Sequence, residues 1–306
     1  MELFLSLVGF ALGIILVVKG GDIFVEAAGG LARGLGLPSF LVGATVVSLA
    51  TTLPEIMVSV LAAVHGKADM AVGNALGSVT ANTAMILATG MVLMPTELGK
   101  ELRLPCGLLL AAVAVLWASC IGGQLAWWGT VLLGAVCVGF LGHNVRCASK
   151  EISEEGREYA GAYVWKFLLG AAAIIGGSQL LVTGGSGIAG FFGVPERIIA
   201  VTLLAVGTSL PELVTTLTAV RKGEAALSVG NIVGANIIDL SLILPLCSAT
   251  SKGTLPLLQQ NLTIDLPVTA LVLAVAAIPM LLRGKSSRAQ GVLLWILYGL
   301  YLLCVV

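Results

Sequence analysis

The sequence predicts an all-α integral membrane protein of ten transmembrane helices, arranged as two inverted five-helix repeats with broken helices at the midplane. Three observations lead to this fold class: the apolar composition, an internal repeat, and the distribution of basic residues between loops. Of 306 residues, 58% are hydrophobic and only 10% are charged, whereas soluble domains carry about 25% charged residues. The mean hydropathy of +1.05 places the chain in a lipid bilayer, and its zero net charge argues against a nucleic-acid partner.

Apolar stretches of about 20 residues, the length needed to cross a bilayer, recur along the chain. They predict spans at 3–28, 39–64, 70–94, 104–121, 124–142, 163–186, 196–220, 226–248, 261–282 and 289–306. The longest polar stretch, 143–162, is predicted to be a cytoplasmic linker between a first repeat (1–142) and a second (163–306). The segment Met1–Leu3 lacks the positive charge that begins a signal peptide, so we expect the first span to be retained.

The two halves are related in sequence. A shift of 157 residues aligns 17–87 with 174–244 without a gap and gives 20 identities over 71 positions. The identities include Gly20/Gly177, Gly30/Gly187, Gly36/Gly193, Pro38/Pro195, Thr51/Thr208, Leu53/Leu210, Pro54/Pro211, Glu55/Glu212, Gly73/Gly230, Asn74/Asn231 and Gly77/Gly234. Apolar composition would align leucines and valines by chance, but not these residue types in register. We therefore predict a duplication.

An odd number of spans in each half requires the second half to insert upside down. With the N-terminus outside, twelve lysines and arginines fall in inner loops and flanks, and only Lys67, Arg197 and Lys252 fall in outer ones. The positive-inside rule therefore predicts a multi-pass protein of the cell (inner) membrane with both termini on the outer side. Inverted repeats with broken helices are typical of secondary transporters, which bind substrate near the midplane.

Each half carries a pentad in which a glutamate follows a proline inside an apolar stretch: 51–55 and 208–212. A carboxylate at that depth costs about 2.5–3.5 kcal/mol and usually marks an ion pathway. The proline lacks an N–H and so frees the carbonyl of Ala50 or Gly207, which must face protein or a watery cavity. Carboxylates, hydroxyls and free carbonyls together predict an oxygen-rich site for a hard cation.

A second polar helix follows each pentad. Asn74, Ser78 and Asn82 are spaced by four residues, and Asn231, Ala235 and Asp239 occupy the matching places. Because this spacing keeps three residues on one helical face, we expect Asn82 and Asp239 to join Glu55 and Glu212 at one site. For Asn74 and Asn231, hydrogen bonding between helices stays open as an alternative role.

The first span also carries charges, at Lys19, Asp22 and Glu26. The three share one helical face, which predicts a self-neutralising structural group at the inner end, with a role in guiding ions as the alternative.

The cysteines and histidines give no indication of a cofactor. The six cysteines lie in or beside apolar segments without a C-x-x-C pair, so free thiols are expected. His65 and His143 lie far apart in the sequence, and no zinc site is predicted from them.

The segments TTLPE (51–55), GNALGSVTAN (73–82), GTSLPE (207–212) and GNIVGANIID (230–239) resemble the two alpha-repeats of prokaryotic sodium/calcium exchangers, in the calcium/cation antiporter superfamily. The resemblance implies alternating access by movement of the first and sixth spans across the other eight. It also implies a monomer that exchanges calcium for sodium without a cofactor. The implied ligands are the side chains of Glu55, Glu212, Asp239, Asn82, Thr51, Thr208, Thr52, Ser209 and Ser78, and the carbonyls of Ser48 and Ala205.

This chain departs from the family pattern in three places. Thr52 stands for a usual serine and keeps the hydroxyl, and Val79 replaces a usual asparagine. Ala235 replaces a usual serine that contributes an oxygen to one sodium site, which leaves sodium affinity and stoichiometry open.

Other functions remain as alternatives at this stage. Calcium/proton exchange is one, although proton exchangers of the superfamily usually have an acid soon after Gly-Asn, and neither 73–74 nor 230–231 is followed that way. A potassium requirement is also open. An intramembrane hydrolase would need a Ser–Lys or Asp–Asp pair or a histidine-bearing metal site. A structural scaffold would not need costly acids in both halves.

Overall fold

The computed structural model describes residues 2–151, 154–193, 205–251 and 255–305. Most of these residues lie in helices, and no strand longer than two residues occurs among them. The first half contains α1 (Glu2–Leu35), α2 (Ser39–Thr51), α3 (Leu53–Val64), α4 (Ala68–Leu93), α5 (Arg103–Ser119), the short strand β1 (Gln124–Leu125) and α6 (Trp127–Glu151).

The second half repeats this order of helices, but its short strand lies one span earlier. It contains α7 (Glu154–Phe191), α8 (Ala205–Thr208), α9 (Leu210–Arg221), α10 (Ala225–Thr250), the short strand β2 (Leu255–Pro256), α11 (Asn261–Arg283) and α12 (Arg288–Val305). Strand β2 pairs antiparallel with β1, and Leu125 lies opposite Leu255. Helices α6 and α7 both extend into the polar stretch 143–162.

Several helices are long and apolar enough to cross a membrane. Seven pass this test among the described residues, or eight if the bent pair α2–α3 is one span, and α12 is apolar but shorter. The predicted span at 196–220 lies partly outside the described residues. The all-α membrane architecture is therefore confirmed, and the count of ten spans stays a prediction.

Both pentads interrupt a helix. Helices α2 and α3 meet at Thr52 with a bend of 46°, and α8 and α9 are separated by Ser209. Pro54 and Pro211 each stand in the first turn of the helix that follows. Proline is tolerated there because the first N–H groups of a helix have no intrahelical partner. The predicted helix breaks are thus confirmed at both pentads.

Two π-helical turns occur at equivalent places in the two halves. One runs over Asn82–Leu87 in α4 and the other over Asp239–Ile243 in α10. Such turns are rare, and they often occur at functional sites. Each begins at the polar residue that the sequence places at the cation site, although hydrophobic periodicity alone did not predict these turns.

Helices α1 and α7, the first and sixth predicted spans, pack against each other through glycines. A Cβ built on Gly20 would lie 2.7 Å from the Ala173 Cβ, and one on Gly177 would lie 2.9 Å from the backbone nitrogen of Val17. Much of α1 is otherwise exposed on the surface of the protein. The two helices therefore form a pair along one side of the molecule.

The two halves also approach each other closely where α2 meets α10. A Cβ on Gly230 would overlap with the Phe40 carbonyl oxygen, and a Cβ on Gly43 would overlap with the Leu227 carbonyl oxygen. Glycine allows this backbone-to-backbone approach because it has no side chain, as is usual for helix pairs in membranes. The contact positions α10, the polar helix of the second half, against the pentad of the first half.

Replacing Gly230 by alanine should therefore destabilise the protein. The new methyl group would force α2 and α10 apart, and overpacking of this kind costs about 1–3 kcal/mol. We expect a lower thermal midpoint for the detergent-solubilised Gly230→Ala variant than for the wild type. Gly134→Ala is the control, because a Cβ there has no neighbour within 4 Å among the described residues. Equal losses in the two variants would contradict the close contact.

The prediction that Lys19, Asp22 and Glu26 neutralise one another is wrong. Asp22 instead forms an ion pair with Arg221, and Glu26 pairs with Lys222 at 3.6 Å. The Lys222 ammonium also donates to the Asp22 carbonyl oxygen at 2.9 Å. The basic end of α9 lies beside α1 and meets its acids across helices, an arrangement that helical spacing within α1 cannot reveal.

Candidate cation-binding site

Three acidic side chains are fully buried where the two halves meet. Glu55, Glu212 and Asp239 each have an exposed fraction of 0%. Glu55 and Glu212 lie in the first turns of α3 and α9, where the positive end of the helix dipole stabilises a carboxylate. The helix breaks at the two pentads thus position both glutamates with their negative charge next to helix N-termini.

Hydrogen bonds connect the first pentad to the second half. The Thr52 hydroxyl donates to Glu212 Oε1 at 3.3 Å, and the Thr51 hydroxyl donates to Asn231 Oδ1 at 3.1 Å. In the repeat, Ser209 is the equivalent of Thr52, and its hydroxyl has no hydrogen-bond partner among the described residues. The site is therefore built from both repeats.

The three acids lie near enough to repel one another. The Glu55 carboxylate is within electrostatic reach of Glu212 and Asp239, and Asp239 is within reach of Glu212. The ion pairs found among the described residues all lie elsewhere. Buried carboxylates without a basic partner need a proton or a bound cation to offset their charge.

Many polar atoms at this place have no hydrogen-bond partner among the described residues. They are both carboxylate oxygens of Glu55 and of Asp239, Oε2 of Glu212, both amide atoms of Asn82, the hydroxyls of Thr208 and Ser209, and the Asn231 Nδ2. Buried polar atoms are normally satisfied, so a cluster of unpartnered oxygens indicates a site for an ion. Ca²⁺ takes six to eight oxygen ligands, about the number that this cluster provides.

No group of three histidine, cysteine, aspartate or glutamate side chains close enough to hold a metal occurs in the described part of the chain. A cation here would therefore bind to a pair of acids and to neutral oxygens. The family resemblance implies the two glutamates and neutral oxygens as ligands, and it adds Asp239 as a third acid.

The remaining predicted ligands are placed as follows. Ser78 is 4% exposed and precedes Asn82 by one turn of α4. The Ser48 carbonyl accepts from the Thr52 N–H at 2.9 Å, and the Thr51 hydroxyl, which donates to Asn231, lies 3.4 Å from the same carbonyl oxygen. Ala205 begins α8, and its surroundings fall outside the described residues. The roles of these residues as ligands stay predictions.

The two asparagines whose role the sequence left open both form hydrogen bonds between helices. Asn74 donates to the Ser59 hydroxyl at 2.9 Å and so connects α4 to α3, and Asn231 accepts from the Thr51 hydroxyl and so connects α10 to α2. Asn236 was not among the predicted residues, although it donates to the Thr83 hydroxyl at 2.8 Å and is fully buried. Its alignment in the repeat with Val79, which stands where the family usually has asparagine, was the available signal.

Comparison with known proteins agrees with this geometry. The family described as "Sodium/calcium exchanger protein" matches residues 5–145 and 162–306. The chain is 34% identical over 300 residues to the inner membrane protein YrbG of Escherichia coli, with 92% of this chain and 91% of that protein covered. It is 27% identical over 343 residues to the sodium/calcium exchanger MaX1 of Methanosarcina acetivorans, with 95% of each covered.

A solved structure of the sodium-calcium exchanger NCX_Mj, soaked with 10 mM Na⁺ and zero Ca²⁺, has the same fold. The TM-score is 0.88 at 27% identity, with 99% of this chain and 98% of that chain covered. The family match covers both halves, the relatives span nearly the whole chain, and the fold is shared. The chain therefore belongs to the sodium/calcium exchanger family, whose members are membrane transporters of cations and not enzymes.

Proposed function

We propose that this protein exchanges Ca²⁺ for Na⁺ by alternating access, with the ions bound between Glu55 and Glu212. The observation that carries the proposal is the cluster of buried, unpartnered oxygens that both halves contribute around these acids. Two carboxylates neutralise one Ca²⁺, and oxygen ligands suit it. Na⁺ carries half the charge, so several ions must enter together to replace Ca²⁺, and this couples the two fluxes.

The proposed ligands are the predicted set, with the glutamates as charge-bearing ligands and Asp239, Asn82 and the pentad hydroxyls around them. The Thr52–Glu212 contact supports this arrangement because it joins the two pentads directly. All of these side chains belong to one chain, so we propose the monomer as the functional unit.

We also propose ten spans in two inverted repeats, 1–142 and 163–306, joined by a cytoplasmic linker at 143–162, with both termini outside. Contacts between loops support this topology. The pair β1–β2 joins two loops that the sequence places outside, whereas Glu97–Lys285 and Arg33–Glu224 join loops that it places inside. An incorrect span count would bring together loops predicted on opposite sides.

The test is transport by the purified protein in sealed proteoliposomes. Ca²⁺ uptake is measured under an imposed Na⁺ gradient, then under a pH gradient alone, and then under the Na⁺ gradient with and without K⁺. We expect the Na⁺ gradient to drive uptake and the pH gradient to have no effect. Uptake driven only by the pH gradient would replace this proposal with Ca²⁺/H⁺ exchange, which the third buried acid, Asp239, would also accommodate.

Ala235 gives a sharper test of the sodium site. It is fully buried and lies one turn before Asp239 in α10. Sodium binding depends on the number of neutral oxygens, so Ala235→Ser should strengthen it by about 1 kcal/mol, the size of one hydrogen bond, or about fivefold in affinity. The half-saturating Na⁺ concentration for Ca²⁺ efflux should fall accordingly.

A serine elsewhere on the same helix, in Ala226→Ser, is the matched control and should leave that concentration unchanged. An equal half-saturating Na⁺ concentration for wild type and Ala235→Ser would mean that position 235 does not face the ion.

A further inference from the structure

A cavity lies apart from the acidic site, near the end of α6. Its volume is about 240 Å³, and it is lined by Pro38, Glu101, Pro105, His143, Asn144 and Cys147, among others. It lies between the start of α2, the turn that precedes α5 and the end of α6. None of these residues belongs to the proposed Ca²⁺ site, and Cys147 has no part in the proposed transport function.

Two potential metal ligands face each other in this cavity. His143 and Cys147 are four residues apart on α6 and so share one helical face, and His143 Nε2 lies 3.5 Å from Cys147 Sγ. In a tetrahedral zinc site, Zn–S bonds of about 2.3 Å and Zn–N bonds of about 2.0–2.1 Å separate the two ligand atoms by about 3.5 Å. The pair therefore already has the spacing that a shared metal ion requires.

The chemistry of the pair selects a different class of cation from the transported ions. Thiolate and imidazole are soft and borderline ligands that favour Zn²⁺ and related transition metals, whereas Ca²⁺ and Na⁺ prefer oxygen. His143 lies far from His65 in the sequence, and its partner is instead the cysteine one helical turn away.

A buried amide provides a second, independent indication of a ligand. Asn144 is 3% exposed, lines the same cavity, and its Nδ2 has no hydrogen-bond partner among the described residues. Since the described residues contain no cluster of three metal-binding side chains, water would complete the coordination of a metal held by His143 and Cys147. An amide donor in the cavity can bond such a water, as groups around a metal site commonly do.

We propose that His143 and Cys147 form a binding site for a transition-metal cation of the Zn²⁺ class, separate from the site of the transported ions. In the proposed orientation the cavity lies on the cytoplasmic side, where thiols stay reduced and able to bind metal.

The experiment uses the purified full-length protein in detergent with a non-thiol reductant. Titration with Co²⁺ reports on the cysteine, because a bound thiolate gives a cobalt charge-transfer absorption that the oxygen ligands of the Ca²⁺ site cannot produce. Zn²⁺ affinity is measured by competition with a chromophoric chelator. We expect one equivalent of Co²⁺ to produce the thiolate band and Zn²⁺ to abolish it.

Cys147→Ser should remove the band, and both Cys147→Ser and His143→Asn should weaken Zn²⁺ binding at least tenfold, since loss of an outer-shell partner alone costs about 10–100-fold. Cys147→His keeps a ligand one turn from His143, so it should retain Zn²⁺ binding and lose the thiolate band. This variant distinguishes loss of a ligand from damage to the fold.

The matched controls are His65→Asn and Cys304→Ser, which alter an exposed histidine and an exposed free cysteine elsewhere. Both should bind Zn²⁺ like the wild type. A thiolate band that persists in Cys147→Ser, or unchanged Zn²⁺ affinity in both His143→Asn and Cys147→Ser, would overturn the proposal.

Discussion

Replacing either Glu55 or Glu212 by glutamine is expected to abolish Ca²⁺ transport. The amide keeps the shape of the side chain and removes one charge from a site in which both carboxylates are fully buried. A single charge pair at about 4 Å is worth about 4 kcal/mol at an effective dielectric constant of 20. This corresponds to a loss of roughly a thousandfold in affinity.

The measurement is Na⁺-driven uptake of Ca²⁺ into proteoliposomes, normalised to the amount of inserted protein. Glu97→Gln is the control, because that side chain is 79% exposed and pairs only with Lys285 at the surface. The control should transport like the wild type. Wild-type rates in Glu55→Gln or Glu212→Gln would show that the two glutamates do not share an ion.

Asp239→Asn should change the dependence on the counter-ion more than the affinity for Ca²⁺. Asp239 occupies the position that Asn82 holds in the first half. The proposed site therefore has three acids and one amide, whereas strict symmetry would place the same residue type at both positions. Ca²⁺ offsets the charge of two glutamates and leaves the third negative charge for a Na⁺ ion or a proton. Removing that charge should raise the half-saturating Na⁺ concentration tenfold or more, about 1.4 kcal/mol.

This prediction is checked by titrating Ca²⁺ efflux with Na⁺ at several pH values and by measuring the half-saturating Ca²⁺ concentration in parallel. Asp69→Asn, at an exposed residue of the first turn of α4, is the control for removal of an acid outside the site. Loss of Ca²⁺ binding with unchanged dependence on Na⁺ and pH would assign Asp239 to the calcium ligands instead.

The sequence by itself determined the membrane class, the duplication and the positions of the helix breaks. These properties follow from local chemistry. A high apolar content requires a bilayer. A proline lacks an N–H and so interrupts the hydrogen bonding of the helix before it. An acid inside the membrane has a free-energy cost, so its presence in both halves indicates a function. Glu55, Glu212 and Asp239 could be identified in this way because each is anomalous in its own apolar stretch.

Only the tertiary structure decided how residues from different helices pair. Asp22 binds Arg221 rather than Lys19, Asn74 bonds Ser59 while Asn231 bonds Thr51, and a cavity forms around His143 and Cys147. Periodicity within one helix says which residues share a face. It does not say which helix that face meets, because the partner depends on the packing of segments up to 210 residues apart.

The π turns at Asn82 and Asp239 are also features that only the tertiary structure decided. Each shifts the register of its helix by a fraction of a turn, and residue composition gives no signal for it. Such a turn is kept only where the surrounding packing holds it. The sequence therefore identified the candidate residues of the site, and the packing of the two halves decided which polar atoms lie together.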